Sequence, residues 1–197
     1  MISNSEIRAK ARELLGGGIF KNEWLYALLI VLVVSLITGL LSATFVGSVI
    51  VYGVLMVAMA SYFTGRIRGE VEYKDMNAAI DGCEKNPVSS ILTGLLYNLF
   101  IALGSFFFVI PGLVLSCSYA MTFYIRNDNP EIGIMDALKE SKRMMNGHKM
   151  QYFTLQLSFI GWMIVGSFCF GIGTLWVSAY MEAAKAVFYE ELKNSQF

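Results

Sequence analysis

From Trp24 to Gly65 the chain runs for 42 residues without an Asp, Glu, Lys or Arg; a second such run covers 40 residues from Asn86 to Ile125, and a third covers 32 from Met150 to Met181. A bilayer core accepts a helix of roughly 20 apolar residues, so each run has the length of about two crossings, the third only if its second helix continues past Met181 toward Tyr189. One continuous helix over the first run would be about 63 Å long, roughly twice the hydrocarbon thickness. Each run carries a turn signal near its middle: Leu41-Ser42-Ala43-Thr44 with Gly47-Ser48, then Val109-Ile110-Pro111-Gly112, then Gly171-Ile172-Gly173-Thr174. The pattern predicts an all-α integral membrane protein with six transmembrane helices in three hairpins, at about 24–43, 46–65, 88–108, 111–127, 150–169 and 173–190. The fourth is short unless it begins before Pro111, in which case the proline kinks it. Only 15% of residues are charged and the mean hydropathy is +0.57. A soluble domain carries about 25% charged residues, enough to cover its surface.

Charge placement sets the orientation. All basic residues fall in four segments: Arg8, Lys10, Arg12 and Lys21; Arg66, Arg68, Lys74 and Lys85; Arg126, Lys139, Lys142, Arg143 and Lys149; and Lys185 with Lys193. In a six-span arrangement these share one face, and the three turns on the other face are uncharged. The excess of Lys and Arg in cytoplasmic segments then predicts both termini inside, in a multi-pass protein of the inner or plasma membrane. The apolar stretch after the first basic segment is too long for a cleaved leader, so the first helix is expected to stay. Formal net charge is zero, which gives no basic field for nucleic acid.

Residues 1–23 read as a cytoplasmic N-terminal segment, and 24–197 as one six-helix domain. Ile7, Ala11, Leu14 and Leu15 recur at helical spacing before Gly16-Gly17-Gly18, predicting a short amphipathic helix over 5–15 that rests at the headgroups. Two further surface helices are expected at about 72–84 and 130–146. The second starts from Asn129-Pro130-Glu131, buries Ile134/Met135, Leu138, the Lys142 stem and Met145, and stops at Gly147. The first presents Tyr73, Met76, Ala79/Ile80 and Cys83 at matching spacing. Hairpin, surface helix, hairpin, surface helix, hairpin is a weak internal repeat in element order. His148, the only histidine, stands beside Lys149 and reads as a headgroup or capping residue rather than a metal ligand.

Ion-coupled transport would lead one to expect an ionisable residue in the middle of a span, and no predicted span has one there. Glu182 and Lys185 lie three residues apart near the inner end of the last span and read as a structural pair. Asn98, Gln151, Gln156 and the tyrosines Tyr97, Tyr119, Tyr124 and Tyr180 could join helices or line a groove for an amphipathic ligand. Gly94, Asn98, Gly161, Gly166 and Ser167 suit close helix packing, and Trp24, Trp162 and Trp176 are interfacial or packing aromatics. Cys83, Cys117 and Cys169 lack metal spacing. No HExxH, G-x-S-x-G, P-loop or CxxC occurs, so no enzyme, cofactor or metal is expected.

Arg8-Ala9-Lys10-Ala11-Arg12 with Trp24, Ile110-Pro111-Gly112, Asp128-Asn129-Pro130 leading into Ala137-Leu138-Lys139-Glu140-Ser141-Lys142, Met144 to Lys149, Leu157 to Trp162, Gly171-Ile172-Gly173 and Tyr189-Glu190 form a set of motifs along nearly the whole chain. In this set the chain resembles the bacterial membrane proteins called domain of unknown function 975. It departs from them at Gly16-Gly17-Gly18-Ile19-Phe20, where a Gly-Asn-Trp-like stretch is usual. The resemblance implies a bacterial inner- or plasma-membrane protein and brings no activity, substrate or catalytic residue; similar membrane domains beside lipid-handling enzymes hint at lipids. The expected function is a non-enzymatic scaffold, sensor or accessory subunit of the cell envelope, with binding or transport of a lipid or other apolar molecule as the alternative. Membrane lipids are the expected partners, together with another membrane protein or a second copy of the chain.

Overall fold

The computed structural model describes residues 2–16, 22–41, 45–84, 87–107, 109–168 and 172–195. Among these the fold is all-α: α1 (Asn4–Leu14), α2 (Asn22–Leu41), α3 (Phe45–Arg68), α4 (Asn77–Glu84), α5 (Pro87–Phe107), α6 (Val109–Ser118), α7 (Thr122–Asp128), α8 (Ile134–Met144), α9 (Lys149–Phe168) and α10 (Ile172–Ser195). The expected turn at 42–44, Gly17-Gly18, Gly171 and the Cys83 side chain lie outside the described residues.

Two helices, Asn22–Leu40 in α2 and Pro87–Gly104 in α5, are long and apolar enough to cross a membrane. Neither is a core helix, because only 22% and 17% of these windows are buried. Leu36 and Leu40 of α2, Leu99 and Leu103 of α5, and Ile164 and Val165 of α9 are exposed apolar side chains. The core lies toward the charged end of the bundle. Its buried members include Ile7 and Ala11 of α1, Trp24, Ala27 and Ile30 of α2, Tyr62 and Phe63 of α3, Tyr124 and Ile125 of α7, Ala137 and Met144 of α8, Leu155 and Phe159 of α9, and Ala183, Phe188 and Leu192 of α10. Buried packing at one end and apolar exposure at the other is the division expected where the solvent changes from water to hydrocarbon.

Helix α1 begins with a capping box in which Ser3 and Glu6 satisfy each other's backbone amides. The structure places this helix against α9 and α10 rather than loose at a surface. Ile7 and Ala11 are fully buried. Gln151 Nε2 donates to the Ile2 carbonyl at 2.8 Å, Tyr180 Oη donates to the Arg8 carbonyl at 3.0 Å, and Lys10 pairs with Glu191. At the far end the Arg66 guanidinium donates to the Leu14 carbonyl at 2.7 Å, satisfying one of the orphan acceptors of a helix C-terminus.

Glycine sets the helix spacing at two crossings. A Cβ on Gly53 of α3 would fall 2.9 Å from the Ser90 carbonyl carbon of α5, and one on Gly94 would fall 2.7 Å from the Gly53 Cα. Gly166 of α9 and Gly173 of α10 stand in the same relation, a Gly166 Cβ reaching 2.8 Å from the Gly173 carbonyl carbon. Such backbone-to-backbone approach supplies packing attraction where apolar side chains gain nothing over lipid tails. Gly161, expected at such a contact, has open space around it, and Ser167 is exposed.

The predicted fourth span is broken. Helix α6 begins at Val109, so Pro111 sits in its first turn, where its missing amide has no intrahelical acceptor to lose. The helix stops at Ser118, and α7 resumes at Thr122. Ser141 of α8, fully buried, bridges the gap: its hydroxyl donates to the Ser118 carbonyl at 2.9 Å and accepts from the Met121 amide at 3.2 Å. One side chain thereby satisfies both a carbonyl and an amide freed by the break, which could not stay unpaired in a dry interior.

Helix α8 therefore packs into the bundle. It begins at Ile134 behind Gly133, later than Asn129-Pro130-Glu131 suggested, because the buried Arg126 guanidinium holds the preceding turn through the Ile132 and Pro130 carbonyls at 2.8 and 3.1 Å. Its buried face is Ala137, Leu138, Ser141 and Met144, followed by Met145, while Met135 and Lys142 are exposed. Helix α4 is likewise shorter than expected and turns Ala78 and Gly82 inward, leaving Ile80 out.

Candidate functional site: a cavity between the helices

A cavity of about 480 Å³ opens where α3, α5, α6, α7, α9 and α10 converge. Its walls grade from polar to apolar. At the inner end stand Lys185 of α10, Tyr124 of α7, and Tyr152 and Gln156 of α9. Tyr52 and Tyr97 line the middle, stacked at 6.2 Å between ring centroids and both set against Phe123, with Ser116 and Cys117 of α6 opposite. Leu113, Leu157, Ile160 and Met163 line the outer part. Leu113, Leu157 and Ile160 are also exposed on the apolar surface, so the mouth opens sideways between α6 and α9.

The helix break shapes this space. Ala120, in the non-helical step between α6 and α7, lines the cavity with the adjacent Cys117 and Phe123. Irregular backbone at such depth is tolerated where protein or a cavity surrounds it, and broken helices border binding sites in membrane transporters. Within the polar end, Gln156 Nε2 donates to the Tyr152 hydroxyl at 2.7 Å. Lys185 Nζ donates to Glu182 Oε1 at 2.7 Å, with side chains only 17% and 10% exposed. Lys185 lines the cavity and Glu182 stands behind it.

Below the cavity, a charged cluster ties three helix ends together. Asp128 Oδ2 at the end of α7 accepts from Arg68 of α3 at 2.8 Å, and from Tyr189 and Lys193 of α10 at 2.9 and 2.6 Å. Arg68 also reaches Glu190 at 2.6 Å. Burial alone would raise the Asp128 carboxyl, but hydrogen bonds from Arg68, Lys193 and Tyr189 outweigh it and hold the group below the ordinary aspartate value. Asn127 Nδ2 donates to Thr64 Oγ1 at 3.2 Å beside this cluster.

The residues singled out from the sequence divide clearly. Lys185 reaches the cavity, with Glu182 as its counterion. Ser141 closes the helix break, and Gly173 makes a close helix contact. Trp24 is buried 5.9 Å from Tyr180, and Tyr180 holds α1. Pro111 and Gly112 lie in the first turn of α6, Gly112 3.4 Å from where a Cβ on Gly104 would stand. Asn129 and Pro130 form the Arg126-held turn, and Gly147 takes φ +82° between α8 and α9. The His148 carbonyl accepts the Tyr152 amide at 3.0 Å, a backbone capping position. Gly161 faces open space, and Trp162 is 63% exposed. Of the polar span residues, Tyr97, Tyr124 and Gln156 line the cavity. Asn98 instead bonds within its own helix, to the Gly94 carbonyl. Tyr52, Cys117 and Ala120 were not anticipated; an even spread of tyrosines and small residues gave no signal of which would face inward. Among the described residues no cluster of His, Cys, Asp or Glu could hold a metal ion.

Fold and site together define a membrane-associated all-α protein. Residues 107–196 match the family described as Protein of unknown function (DUF975). The match covers the broken helix, α8, α9 and α10, and with them most of the motifs that carried the resemblance. No curated protein and no solved structure is significantly similar to the chain.

Proposed function

We propose that this is a six-span membrane protein, with both termini in the cytoplasm, that holds one amphipathic lipid in the cavity between its helices without transforming it. In this reading α2, α3, α5, the α6–α7 pair, α9 and α10 are the crossings. Helices α1, α4 and α8 brace their inner ends, and a scaffold, sensor or accessory role works through the state of the cavity. The observation that carries it is the cavity's gradient: hydrogen-bonding groups at the charged end, aliphatic walls outward, and a mouth on the apolar surface. A volume of about 480 Å³ lies within the roughly 300–1,000 Å³ of small-molecule sites. A sideways apolar mouth admits a molecule from hydrocarbon rather than from water.

Filling the cavity tests the reading. Wild-type protein extracted in mild detergent is expected to retain an acyl lipid in native mass spectrometry, and Ala120→Trp, with C117F as a second blocking variant, to lose it while eluting at the same size. A wild type free of lipid, or blocked variants carrying as much as wild type, would refute it.

A further inference from the structure

The ammonium at the polar end of the cavity is already matched in charge. Lys185 carries three donors; one meets Glu182 at 2.7 Å, and the side chain lines the cavity while Glu182 does not. The end wall is therefore a strong hydrogen-bond donor with almost no net charge. Among the described residues that line the cavity, Tyr52 and Tyr152 add hydroxyls, and Lys185 is the one charged side chain.

We propose that the Lys185–Glu182 pair makes the cavity selective for acyl lipids with an uncharged, oxygen-bearing head, of which a monoacylglycerol is the simplest, and against fatty-acid anions. The inference rests on the cavity binding a lipid at all. An ester carbonyl or hydroxyl oxygen accepts a charge-assisted hydrogen bond from Lys185 and leaves the ion pair intact. A carboxylate in the same place would share one ammonium with Glu182, two like charges in a site with little water, which disfavours ionisation of one of them. Length fits one chain: Tyr152 to Met163 spans about 16 Å along α9 at 1.5 Å per residue, close to half of a roughly 30 Å hydrocarbon core.

The test titrates the full chain in mild detergent with monooleoylglycerol and with oleate, at a pH where oleate is ionised. Wild type is expected to bind monooleoylglycerol about tenfold more tightly than oleate, the scale of one charge-assisted hydrogen bond gained or lost. Glu182→Gln leaves the lysine without its counterion and should reverse the order. The double variant Glu182→Gln/Lys185→Met, which buries no lone charge, removes the donor and should bind monooleoylglycerol about tenfold more weakly than wild type without binding oleate more tightly, so the donor is tested even should the single variant not fold. Wild type preferring oleate, Glu182→Gln keeping the wild-type order, or the double variant binding monooleoylglycerol as tightly as wild type, would overturn the selectivity and leave the cavity's lipid binding standing. Neither lipid binding to wild type, with Ala120→Trp indistinguishable from it, would bring down the cavity reading as well.

Discussion

Valine in place of Gly53 is expected to lower the melting temperature of the detergent-solubilised protein by roughly 6–12 °C, a loss of about 3 kcal/mol at about 2–4 °C per kcal/mol for a chain of this size. The cause is the crossing of α3 and α5. A Cβ on Gly53 meets the backbone of Ser90 and comes within 3.0 Å of the Gly94 amide, so no flexible side chain can swing away. Relief requires the helices to separate, and that separation removes packing along a contact where lipid competes on nearly equal terms. Gly161→Ala is the control: a glycine in a helix interior with nothing near its Cβ, it should be neutral or slightly stabilising. Equal effects of the two substitutions would mean that α3 and α5 do not meet at Gly53.

Asp128→Ala should be nearly as damaging, about 2–4 kcal/mol. Removing one partner of a fully buried pair costs about 3–5 kcal/mol, and the loss is smaller here because Arg68 and Lys193 keep some contact with water and Arg68 keeps Glu190. The pH dependence has a definite sign. The Asp128 carboxyl is held below its unfolded value of about 3.9, so its contribution is complete above that value and is lost as pH falls through the lower folded one. In thermal unfolding, the gap between wild type and Asp128→Asn should be full at neutral pH and should close as pH falls below about 4. A gap that stayed constant to low pH would show that the carboxylate's charge contributes nothing.

Much of this organisation is legible in the sequence because the hydrocarbon constraint acts on long, uncharged runs. The three runs mark out the helices, and Gly94 and Gly166 stand where backbones meet, whereas Gly47-Ser48, Val109 to Gly112 and Ile172 to Thr174, which read as turns, lie inside α3, α6 and α10. Less visible are features that depend on which side chain meets which. Ser141 gives no sign in its own neighbourhood that it closes a break some 20 residues earlier, and residues 111–127 read as one short helix until that partner is seen. Arg126 delays the start of α8 by using backbone carbonyls, a contact no residue pattern encodes. Lys185 and Glu182 are recognisable as a pair from their spacing alone. That the lysine faces a cavity and the glutamate does not is set by how α10 is rotated against α7 and α9.

The most direct test of the account is where a lipid chain lies. With the protein in nanodiscs containing an acyl lipid that carries a photoactivatable group along its chain, irradiation followed by peptide mapping should place adducts on the cavity walls. Tyr97, Phe123, Gln156 and Met163 are the expected sites, and Ala120→Trp should abolish those adducts. Adducts confined to the outward faces of α2, α5 and α9, at Leu36, Leu99, Leu103, Ile164 or Val165, in wild type and variant alike, would contradict it.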